Sequence, residues 1–449
     1  MQNARINSAL DIHYARDTAR VAVPPRCPSL RPPASSFIIG RMTAPADEFS
    51  PASTAELARF LAANAAESRL PVVPAGGRTS LRIGEPVPAA ARLVSMSSMQ
   101  KVIDYPARDM TITVEAGIRF ADLQKVLAAE GQRLPIDVPD ANRATLGGAI
   151  AANASGPRRF GQGTFRDFVI GISAVDGIGR PFSAGGRVVK NVAGYDLCKL
   201  LVGSLGTLAA ITQVTLKLRP VAEAHRILWL TAASPEQLEA WQVRLGLSQT
   251  RPTAVEIVNR KAIASLAAES RVDLPVDEFA LAVAFEGSVR ECDWQITTLE
   301  QELAPASTKG IAKLSEPQAA SLLQALAEFQ AAGDDPVTFA ASVPSSRVAG
   351  FVDAASKRGV ALQSHAANGI VIGHLPDRCV TAAAAGELIA PLRQLAESAG
   401  GSLVVWNCDD AWKPALNVFG TPRPARRWMQ EVKKSLDPHN VLSPGRMPV

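Results

Sequence analysis

Three glycine-rich segments contain the residues whose types and spacing are suited to binding a phosphate. The first is Pro74-Ala75-Gly76-Gly77-Arg78-Thr79-Ser80, at the end of an apolar run at 70–74. Glycines at such a turn let successive backbone N–H groups converge on an anion, and Thr79 and Ser80 add hydroxyl donors. The segment is neither G-x-G-x-x-G nor a P-loop, so it indicates no nicotinamide-type Rossmann site and no ATPase. A diphosphate-binding loop and an ordinary surface turn both agree with these residues alone.

The second segment comprises Asp137-Val-Pro139-Asp140 and, after it, Thr145-Leu-Gly147-Gly148-Ala-Ile-Ala-Ala-Asn153-Ala-Ser155. Paired glycines at the start of an Ala-rich helix let a cofactor approach the backbone closely, and the N-terminus of a helix favours negative charge. Close helix packing on small residues is the other use of such a sequence, and it is the better explanation if the segment is taken alone.

The third segment runs from Lys190-Asn-Val-Ala-Gly194-Tyr-Asp196 to Gly203-Ser-Leu-Gly206-Thr207 and leads into a strand at 211–218. Glycine, serine and threonine at a turn before a strand can line a flat aromatic ligand. For Lys190 and Asp196, a surface ion pair is the simpler interpretation. Together the three segments indicate a ligand site more strongly than any one of them.

The composition is that of a globular protein with two or three domains. The chain has 449 residues, of which 47% are hydrophobic and 20% charged, with 47 basic against 42 acidic residues. Collagen, disordered and coiled-coil classes are thereby excluded. The densest basic stretch, 423–434, contains Glu431 and a single aromatic residue, Trp428, so we interpret it as a solvated helix face rather than a nucleic-acid groove. The chain has no apolar run long enough to predict a transmembrane helix.

The cysteines, Cys27, Cys198, Cys292, Cys379 and Cys408, lie far apart without a C-x-x-C pair. We therefore expect free thiols in a reducing cytosol, no metal site, and no iron–sulfur cluster in this chain. Cys198 is interpreted as a small buried hydrophobic residue.

Residues 1–44 are rich in Arg and Pro and show neither helical nor strand periodicity. Charges interrupt every candidate for the apolar region of a signal peptide, so secretion is not expected. We interpret this segment as a disordered extension or as the product of an upstream start codon, with Met42 as an alternative first residue.

Helical and strand periodicities alternate along the rest of the chain. Up to Pro220 they predict helices at 55–65 and 120–131 and strands at 70–74, 111–114, 168–175 and 211–218. After Pro220 they predict a second α+β domain, with strands at 227–230, 255–258, 279–285, 337–341, 369–375 and 403–406 and helices near 235–247, 289–303, 316–331 and 380–399. A last helix near 423–435 precedes the turn-rich Asp437-Pro-His-Asn440.

The glycine-rich segments and the C-terminus together resemble one family of flavoproteins. The matching residues are Pro74-Ala-Gly-Gly-Arg-Thr-Ser80, Leu146-Gly-Gly148, Ser155-Gly-Pro-Arg-Arg159, Gly186-Arg-Val-Val-Lys-Asn-Val-Ala-Gly-Tyr-Asp-Leu197, Gly203-Ser-Leu-Gly-Thr207 and Leu436-Asp-Pro-His-Asn-Val-Leu-Ser-Pro-Gly-Arg-Met447. With them the sequence resembles the FAD-linked oxidases of the vanillyl-alcohol oxidase and p-cresol methylhydroxylase type, and among these the smaller FAD-binding subunits of bacterial glycolate oxidases. The resemblance covers nearly all of 45–220 and the tail, whereas 221–405 agrees only in general layout.

The resemblance implies an α+β fold: a two-part FAD-binding domain of the p-cresol methylhydroxylase type at 45–220, an α+β cap domain at 221–422, and a segment at 423–449 that returns to the FAD-binding domain. Carried over position by position, the diphosphate would be held at Pro74, Ala75, Gly76, Gly77, Arg78, Thr79 and Ser80. The rest of the FAD would be lined by Asp137, Pro139, Thr145, Gly147, Gly148, Asn153 and Ser155, and from the far side by Gly206, Thr207 and Ile211.

Departures from the family pattern bear on the chemistry. Arg78 stands where many relatives attach FAD through a histidine, which implies non-covalent FAD. Leu205 replaces the glutamate of the Gly-Ser-Glu-Gly that is common in relatives acting on 2-hydroxy acids. Their His-rich Gly-Asp-Gly-Asn stretch is missing unless His374 is its remnant, and a strand histidine with satisfied hydrogen bonds is the simpler interpretation of His374. A catalytic base and a cation for a substrate carboxylate are therefore unassigned.

Two tryptophans near the C-terminus allow two interpretations. Trp406 and Asn407, with Trp412 and Lys413, would either close over the flavin or form an aromatic core beside a polar turn. We favour the core.

The resemblance implies an FAD-binding subunit of a glycolate oxidase (dehydrogenase) complex, which oxidises a 2-hydroxy acid such as glycolate to the 2-oxo acid by hydride transfer to flavin. It implies two partners, a second and larger FAD-binding subunit and an iron–sulfur subunit, and membrane contact only through them. Two alternatives stay open. One is a non-catalytic FAD-containing subunit that organises the complex or relays electrons, and the other is a stand-alone FAD-linked 2-hydroxy-acid dehydrogenase.

Overall fold

The computed structural model describes residues 47–186, 196–303, 310–331 and 335–448. The extension predicted at 1–44 lies outside the described residues, and so does the stretch from Lys190 to Tyr195. Among the described residues, no helix is long and apolar enough to cross a membrane.

The elements up to Pro220 form three sheets. They are β1 (Asp47–Phe49), α1 (Thr54–Ala66), β2 (Val72–Ala75), β3 (Arg92–Ser95), β4 (Val102–Asp104), β5 (Thr111–Glu115), α2 (Phe120–Ala128), β6 (Gln132–Arg133), α3 (Leu146–Ala152), α4 (Arg159–Gln162), α5 (Phe165–Phe168), β7 (Val169–Asp176), β8 (Pro181–Gly185), α6 (Leu197–Leu201), β9 (Ala209–Lys217) and β10 (Arg219–Pro220). The order β1-β3-β2 is parallel, the order β4-β5-β9-β7-β8 is antiparallel, and β10 pairs with β6.

Apolar periodicity explains how the first sheets pack. The side chain of Ser53 accepts a hydrogen bond from the N–H of Glu56 and so caps α1. Leu57 and Leu61, one helical turn apart, then face a small core that also contains Val175 of β7. The five-stranded sheet buries its alternate residues against α2, α3 and α6 in a larger core.

The elements after Pro220 build one antiparallel sheet of eight strands with helices around it. They are β11 (Ala224–Ala232), α7 (Pro235–Leu247), β12 (Ala254–Asn259), α8 (Arg260–Ser270), β13 (Phe279–Gly287), α9 (Val289–Leu303), β14 (Ile311–Leu314), α10 (Gln318–Glu328), β15 (Thr338–Ser342), α11 (Val348–Ser356), β16 (Ala361–His365), β17 (Ile370–His374), α12 (Ala382–Ser398), β18 (Ser402–Asn407), α13 (Lys413–Leu416) and α14 (Arg426–Leu436). The strand order is β14-β11-β13-β12-β16-β17-β15-β18.

Helices cover this sheet unequally, which decides where a cavity can form. On one face, α7, α9, α11 and α12 pack along its whole width. On the other face, α8 and α10 cover only the strands from β14 to β12. Alternate residues of β15 show the consequence, because Phe339 and Ala341 lie in the core while Thr338 and Ala340 face a cavity. Half of one sheet face is thus available as a cavity wall.

The α+β class predicted from the sequence is confirmed, and the predicted helices and strands after Pro220 are present with shifted ends. After Pro220, periodicity missed α8, α11, the short α13, β14 and β16. In α11, Gly350 and apolar residues on every side weaken the helical pattern, whereas in β16 the buried Gln363, Ser364 and His365 hide the apolar alternation. The domain boundaries at 220/221 and 422/423 stay predictions.

A buried cluster of charges joins the elements before Pro220 to the eight-stranded sheet. Arg158 donates hydrogen bonds to Asp137 Oδ1 and to Glu286 Oε1 of β13, both at 2.5 Å. Arg133 Nη2 reaches Glu286 Oε2 at 2.7 Å, and His225 Nε2 of β11 lies 3.3 Å from Glu286 Oε1. Burial alone would raise the pKa of Glu286, but the His225 hydrogen bond and the two arginines lower it far below its usual range.

The C-terminal residues are fixed by a second buried ion pair. Lys433 of α14 donates to Asp437 Oδ2, to the Thr207 carbonyl at 2.7 Å and to the Leu442 carbonyl at 2.8 Å. Asp437 also accepts from the N–H groups of Val441 and Leu442. The interpretation of 423–434 as a solvated face is therefore wrong for Lys433, which is 6% exposed, while its neighbour Lys434 is exposed as predicted.

We expect Lys433→Met to lower the free energy of unfolding by about 3–5 kcal/mol, because it leaves the buried Asp437 carboxylate without its cation. Chemical denaturation measures this change. The matched control is Lys434→Met, which removes an exposed charge one position away and is expected to change the same quantity by less than about 0.5 kcal/mol. Equal effects of the two variants would contradict a specific role for the buried pair.

We also expect His225 to stabilise the protein most at low pH. Its hydrogen bond to Glu286 raises the pKa of His225 above the ordinary value of 6.5, against the effect of burial. Because the pKa of His225 is higher in the folded protein than in the unfolded chain, its stabilisation is complete at pH values below the unfolded-state pKa. The stabilisation is lost as the pH rises through the folded-state pKa. The loss of unfolding free energy in His225→Gln is therefore expected to be larger at about pH 6 than at about pH 9. A pH-independent difference would exclude this role.

Candidate functional site

Two adjoining cavities lie beside the glycine-rich segments. The main cavity, of about 1140 Å³, has the uncovered half of the eight-stranded sheet as one wall, with Ile372 of β17 and Val404 of β18 among its residues. Its opposite wall is formed by 78–83, 138–140 and 152–155. The side cavity, of about 80 Å³, lies beneath the loop after β2. Both cavities are lined by 78–81, by Ala152 and by Leu205, so they adjoin at these residues.

The glycine pair after β2 is required by a close approach of two chain segments. A Cβ at Gly76 would lie 1.8 Å from Thr145 Oγ1, and a Cβ at Gly77 would lie 1.8 Å from the carbonyl oxygen of Arg143. The left-handed residue of this turn is Arg78, with φ of 60°. The glycines are thus needed for packing space and not, as predicted from the sequence, for the turn conformation.

The loop after β2 presents unused hydrogen-bond donors. The backbone N–H groups of residues 77–80 make no hydrogen bond to any described residue. Nearby, Asn153 Oδ1 on the main cavity and Ser443 Oγ on the side cavity are buried without a partner among the described residues. Buried polar atoms normally have partners, so these atoms indicate a polar ligand that the protein itself does not supply.

The two glycines at the start of α3 have different roles. Thr145 caps α3 by accepting the N–H of Gly148, and both residues line the side cavity. A Cβ at Gly147 would lie 2.7 Å from the Cβ of Ala116. Gly147 therefore also permits close helix packing, which was the alternative to cofactor binding for this segment.

Most of the site residues predicted from the sequence lie on these cavities. Those on the side cavity are Pro74, Ala75, Gly76, Gly77, Arg78, Thr79, Ser80, Thr145, Gly147, Gly148, Gly206 and Ile211. Those on the main cavity include Pro139, Asn153 and Ser155. Asp137 and Thr207 line neither. Asp137 binds Arg158 instead, and Thr207 is 1% exposed, donating to the Ser204 carbonyl and accepting from Lys433.

A histidine on the main cavity and the buried carboxylate that it contacts were not predicted from the sequence. His365 of β16 lines the cavity, and its Nδ1 lies 2.8 and 3.0 Å from the two carboxylate oxygens of Glu256 of β12. The two residues are directly paired across the strands, 2% and 1% exposed. Gln363 Nε2 donates to the same carboxylate at 2.8 Å. The proton on Nδ1 is therefore donated to Glu256, which leaves Nε2 as the acceptor nitrogen.

Arg159 is a positively charged side chain of the main cavity whose guanidinium can bind a carboxylate. It lines the main cavity, donates from Nη1 to Ser155 Oγ at 2.9 Å, and its buried Nε has no partner among the described residues. Burial lowers the pKa of Arg159, and the charge of Glu256 opposes that shift. The only sequence signal for Arg159 was its place at the end of Ser155-Gly-Pro-Arg-Arg159.

His374 has the satisfied hydrogen bonds that were expected of a strand histidine. Its Nδ1 lies 2.9 Å from Asp335 Oδ2 and its Nε2 donates to the Phe329 carbonyl at 2.7 Å.

The interpretation of the C-terminal tryptophans as core residues does not hold for Trp406, which lines the main cavity. Trp412 packs against the core, and Lys413 is buried. Cys198 is buried at 2% exposure, and burial raises the pKa of its thiol.

Two family models match the chain. The model described as FAD binding domain matches residues 45–185, and the model described as FAD linked oxidases, C-terminal domain, matches residues 223–400. The first range contains the glycine loop and α3, and the second contains most of the eight-stranded sheet. These matches confirm FAD as the cofactor, and the unused donors around the side cavity fit its diphosphate.

Similar proteins agree with this assignment. Glycolate oxidase subunit GlcD of Bacillus subtilis is 26% identical over 89% of this chain and 88% of its own length. Glycolate oxidase subunit GlcE of Escherichia coli is 34% identical over 40% of this chain and 52% of its own length, so the match spans about half of that relative. A solved structure of alkyldihydroxyacetonephosphate synthase aligns with a TM-score of 0.62 at 18% identity, covering 89% of this chain and 77% of the other. The two-domain fold of FAD-linked oxidases is confirmed.

We expect Gly76→Val and Gly77→Val to purify without FAD, because any side chain there collides with 143–145 and pushes the loop out of place. Flavin absorbance per protein measures retention, and circular dichroism checks folding. The control is Gly246→Val on α7, where an added Cβ meets nothing within 4 Å. Stoichiometric FAD in folded Gly76→Val and Gly77→Val would remove this loop from the cofactor site.

Proposed function

Because the chain belongs to the FAD-linked oxidase family and is an FAD-dependent oxidoreductase, we propose that it oxidises a 2-hydroxy acid such as glycolate to the 2-oxo acid. We further propose that it does so as the FAD-binding subunit of a glycolate oxidase (dehydrogenase) complex, as in the relatives named glycolate oxidase subunits. The observation that carries the first proposal is that Arg159 and His365 line one cavity beside the glycine loop, with His365 bound to the buried Glu256 behind it.

Oxidation of a 2-hydroxy acid requires a cation for the carboxylate. Arg159 meets this need, because its guanidinium lies on the main cavity with an unpartnered Nε, while Ser155 fixes Nη1. A planar guanidinium binds a carboxylate through two parallel hydrogen bonds, which also orients the C2 atom of the acid.

The reaction also requires a base for the hydroxyl proton. His365 Nε2 accepts that proton, and Glu256 stabilises the imidazolium that forms because it already holds Nδ1–H. FAD, when bound, supplies the acceptor for the hydride. As C2 loses its hydrogen with the electron pair and the hydroxyl loses its proton, the C2–O bond becomes the carbonyl of the 2-oxo acid.

The electrons must then leave the subunit. We propose that they pass to the two partners implied by the family, a larger FAD-binding subunit and an iron–sulfur subunit.

The second candidate function is a non-catalytic subunit that organises the complex or relays electrons. Leu205 favours it, because it replaces the glutamate that is common in relatives acting on 2-hydroxy acids. Leu205 lines both cavities and has a left-handed φ of 52°. The size of the main cavity favours a catalytic role instead.

The visible spectrum of the purified chain under anaerobic conditions tests this function. Glycolate and D-lactate are added with and without the candidate partner subunits. Bleaching of the oxidised flavin bands in the chain alone would support catalysis here. Bleaching only with the partners would favour the relay role, and no bleaching with either acid in any combination would exclude oxidation of these two substrates.

We expect His365→Gln to retain FAD and to reduce the rate of substrate-driven flavin bleaching by about 10²–10⁴-fold, since the variant removes the proton acceptor. Stopped-flow absorbance measures the rate. The control is His439→Gln, which changes an exposed histidine in the tail. An unchanged rate in His365→Gln would remove the base assignment even if the family activity is present.

A further inference from the structure

Arg446, near the C-terminus, is buried at the side cavity. It is 3% exposed and lines that cavity together with the glycine loop after β2. Its Nη1 donates to the Leu81 carbonyl at 2.6 Å and its Nη2 to the Ser80 carbonyl at 2.8 Å. The chain around it is held in place, because the N–H of Ser443 donates to the Val72 carbonyl at 2.8 Å. Arg446 therefore joins the C-terminus to the loop that carries the glycine pair.

The charge of Arg446 has no carboxylate partner within salt-bridge distance among the described residues. Two other buried cations differ in this respect, since Lys433 pairs with Asp437 and Arg158 with Asp137 and Glu286. Burial lowers the pKa of Arg446 to about 10, so the guanidinium keeps its charge at neutral pH. The charge of Asp410 opposes this shift, but the Asp410 carboxylate pairs with Lys413 at 2.8 Å. A buried cation without a directly bound counter-charge costs free energy, which an anionic ligand would offset.

Other donors surround the same cavity. Ser443 is 1% exposed and its Oγ has no partner among the described residues, although it lines the side cavity. Residues 77–80, whose backbone N–H groups make no hydrogen bond to any described residue, line the same cavity. No carboxylate is among the described residues that line the side cavity. A guanidinium, a hydroxyl and several N–H groups therefore form a donor set that suits the oxygens of a phosphate or diphosphate.

We propose that Arg446 is the cationic partner of the FAD diphosphate, brought to the glycine loop by the C-terminal segment. This proposal rests on the FAD-dependent function proposed above and adds a residue that only the tertiary structure brings to the cofactor. In this arrangement the glycine loop supplies the space and the N–H donors, and Arg446 supplies the charge.

The test is equilibrium binding of flavins to apoprotein, measured by flavin fluorescence without turnover. The variants are Arg446→Gln, which removes the charge, and Arg446→Lys, which keeps it. We expect Arg446→Gln to bind FAD about 10–100-fold more weakly, as expected for a lost charge-assisted hydrogen bond, and to show a smaller dependence on salt. Arg446→Lys is expected to recover most of the affinity. Arg427→Gln, on the exposed face of α14, removes the same net charge and is expected to bind FAD like the wild type.

Riboflavin and ADP separate the charge role from a structural one. Riboflavin has no phosphate, so its affinity is expected to be equal in wild type and Arg446→Gln, whereas ADP is expected to compete with FAD in the wild type and weakly in the variant. Wild-type FAD affinity in Arg446→Gln, or an equal loss for riboflavin, would overturn the proposal. If Arg446→Gln does not fold, Arg446→Lys alone decides. Weak FAD binding by folded Arg446→Lys, with an affinity that does not depend on salt, would also overturn the proposal. Tight FAD binding without oxidation of a 2-hydroxy acid would reject the proposed function and leave Arg446 supported.

Discussion

The arrangement of the site depends on one buried guanidinium, that of Arg158. It binds Asp137, before α3, and Glu286, on the eight-stranded sheet, and thereby joins the elements before Pro220 to that sheet. Removing water from these charges is costly, so each carboxylate must remain paired, and Arg133 and His225 complete the pairing of Glu286. Because Arg159 directly follows Arg158 in the chain, the same contact also positions the cation that lines the cavity.

A second constraint is the close approach of backbone to backbone at the side cavity. Gly76 and Gly77 permit 143–145 to lie against the loop after β2, and the C-terminal residues close the cavity from another direction. The ion pair of Lys433 and Asp437 holds those residues in place from within the core. The result is a small, donor-rich space beside a large one, which is the combination that a cofactor with a charged diphosphate and a flat ring requires.

Much of the fold was predictable because its elements carry strong local patterns. The alternation in β9 and the helical stripe of α2 identify these elements in isolation, and the glycine-rich segments identified most of the residues on the two cavities. The failures have physical reasons. Asp137 and Thr207 have types suited to binding, but the Asp137 carboxylate binds Arg158 and the Thr207 hydroxyl donates to the Ser204 carbonyl. Lys433 binds the main-chain carbonyl of Thr207, and no local pattern indicates this contact or that of Arg158.

The sequence by itself determined most of the elements, the α+β class, and the glycine loop and FAD that the family resemblance implied, since these depend on short-range periodicity and on contiguous motifs. Only the tertiary structure decided which polar residues act together. Glu256 and His365 are 109 positions apart and meet because the register of β12 and β16 pairs them, and the return of the chain to β2 brings Arg446 to the glycine loop. Register and chain return are set by the packing of whole sheets and helices, so a reading of local sequence cannot supply them.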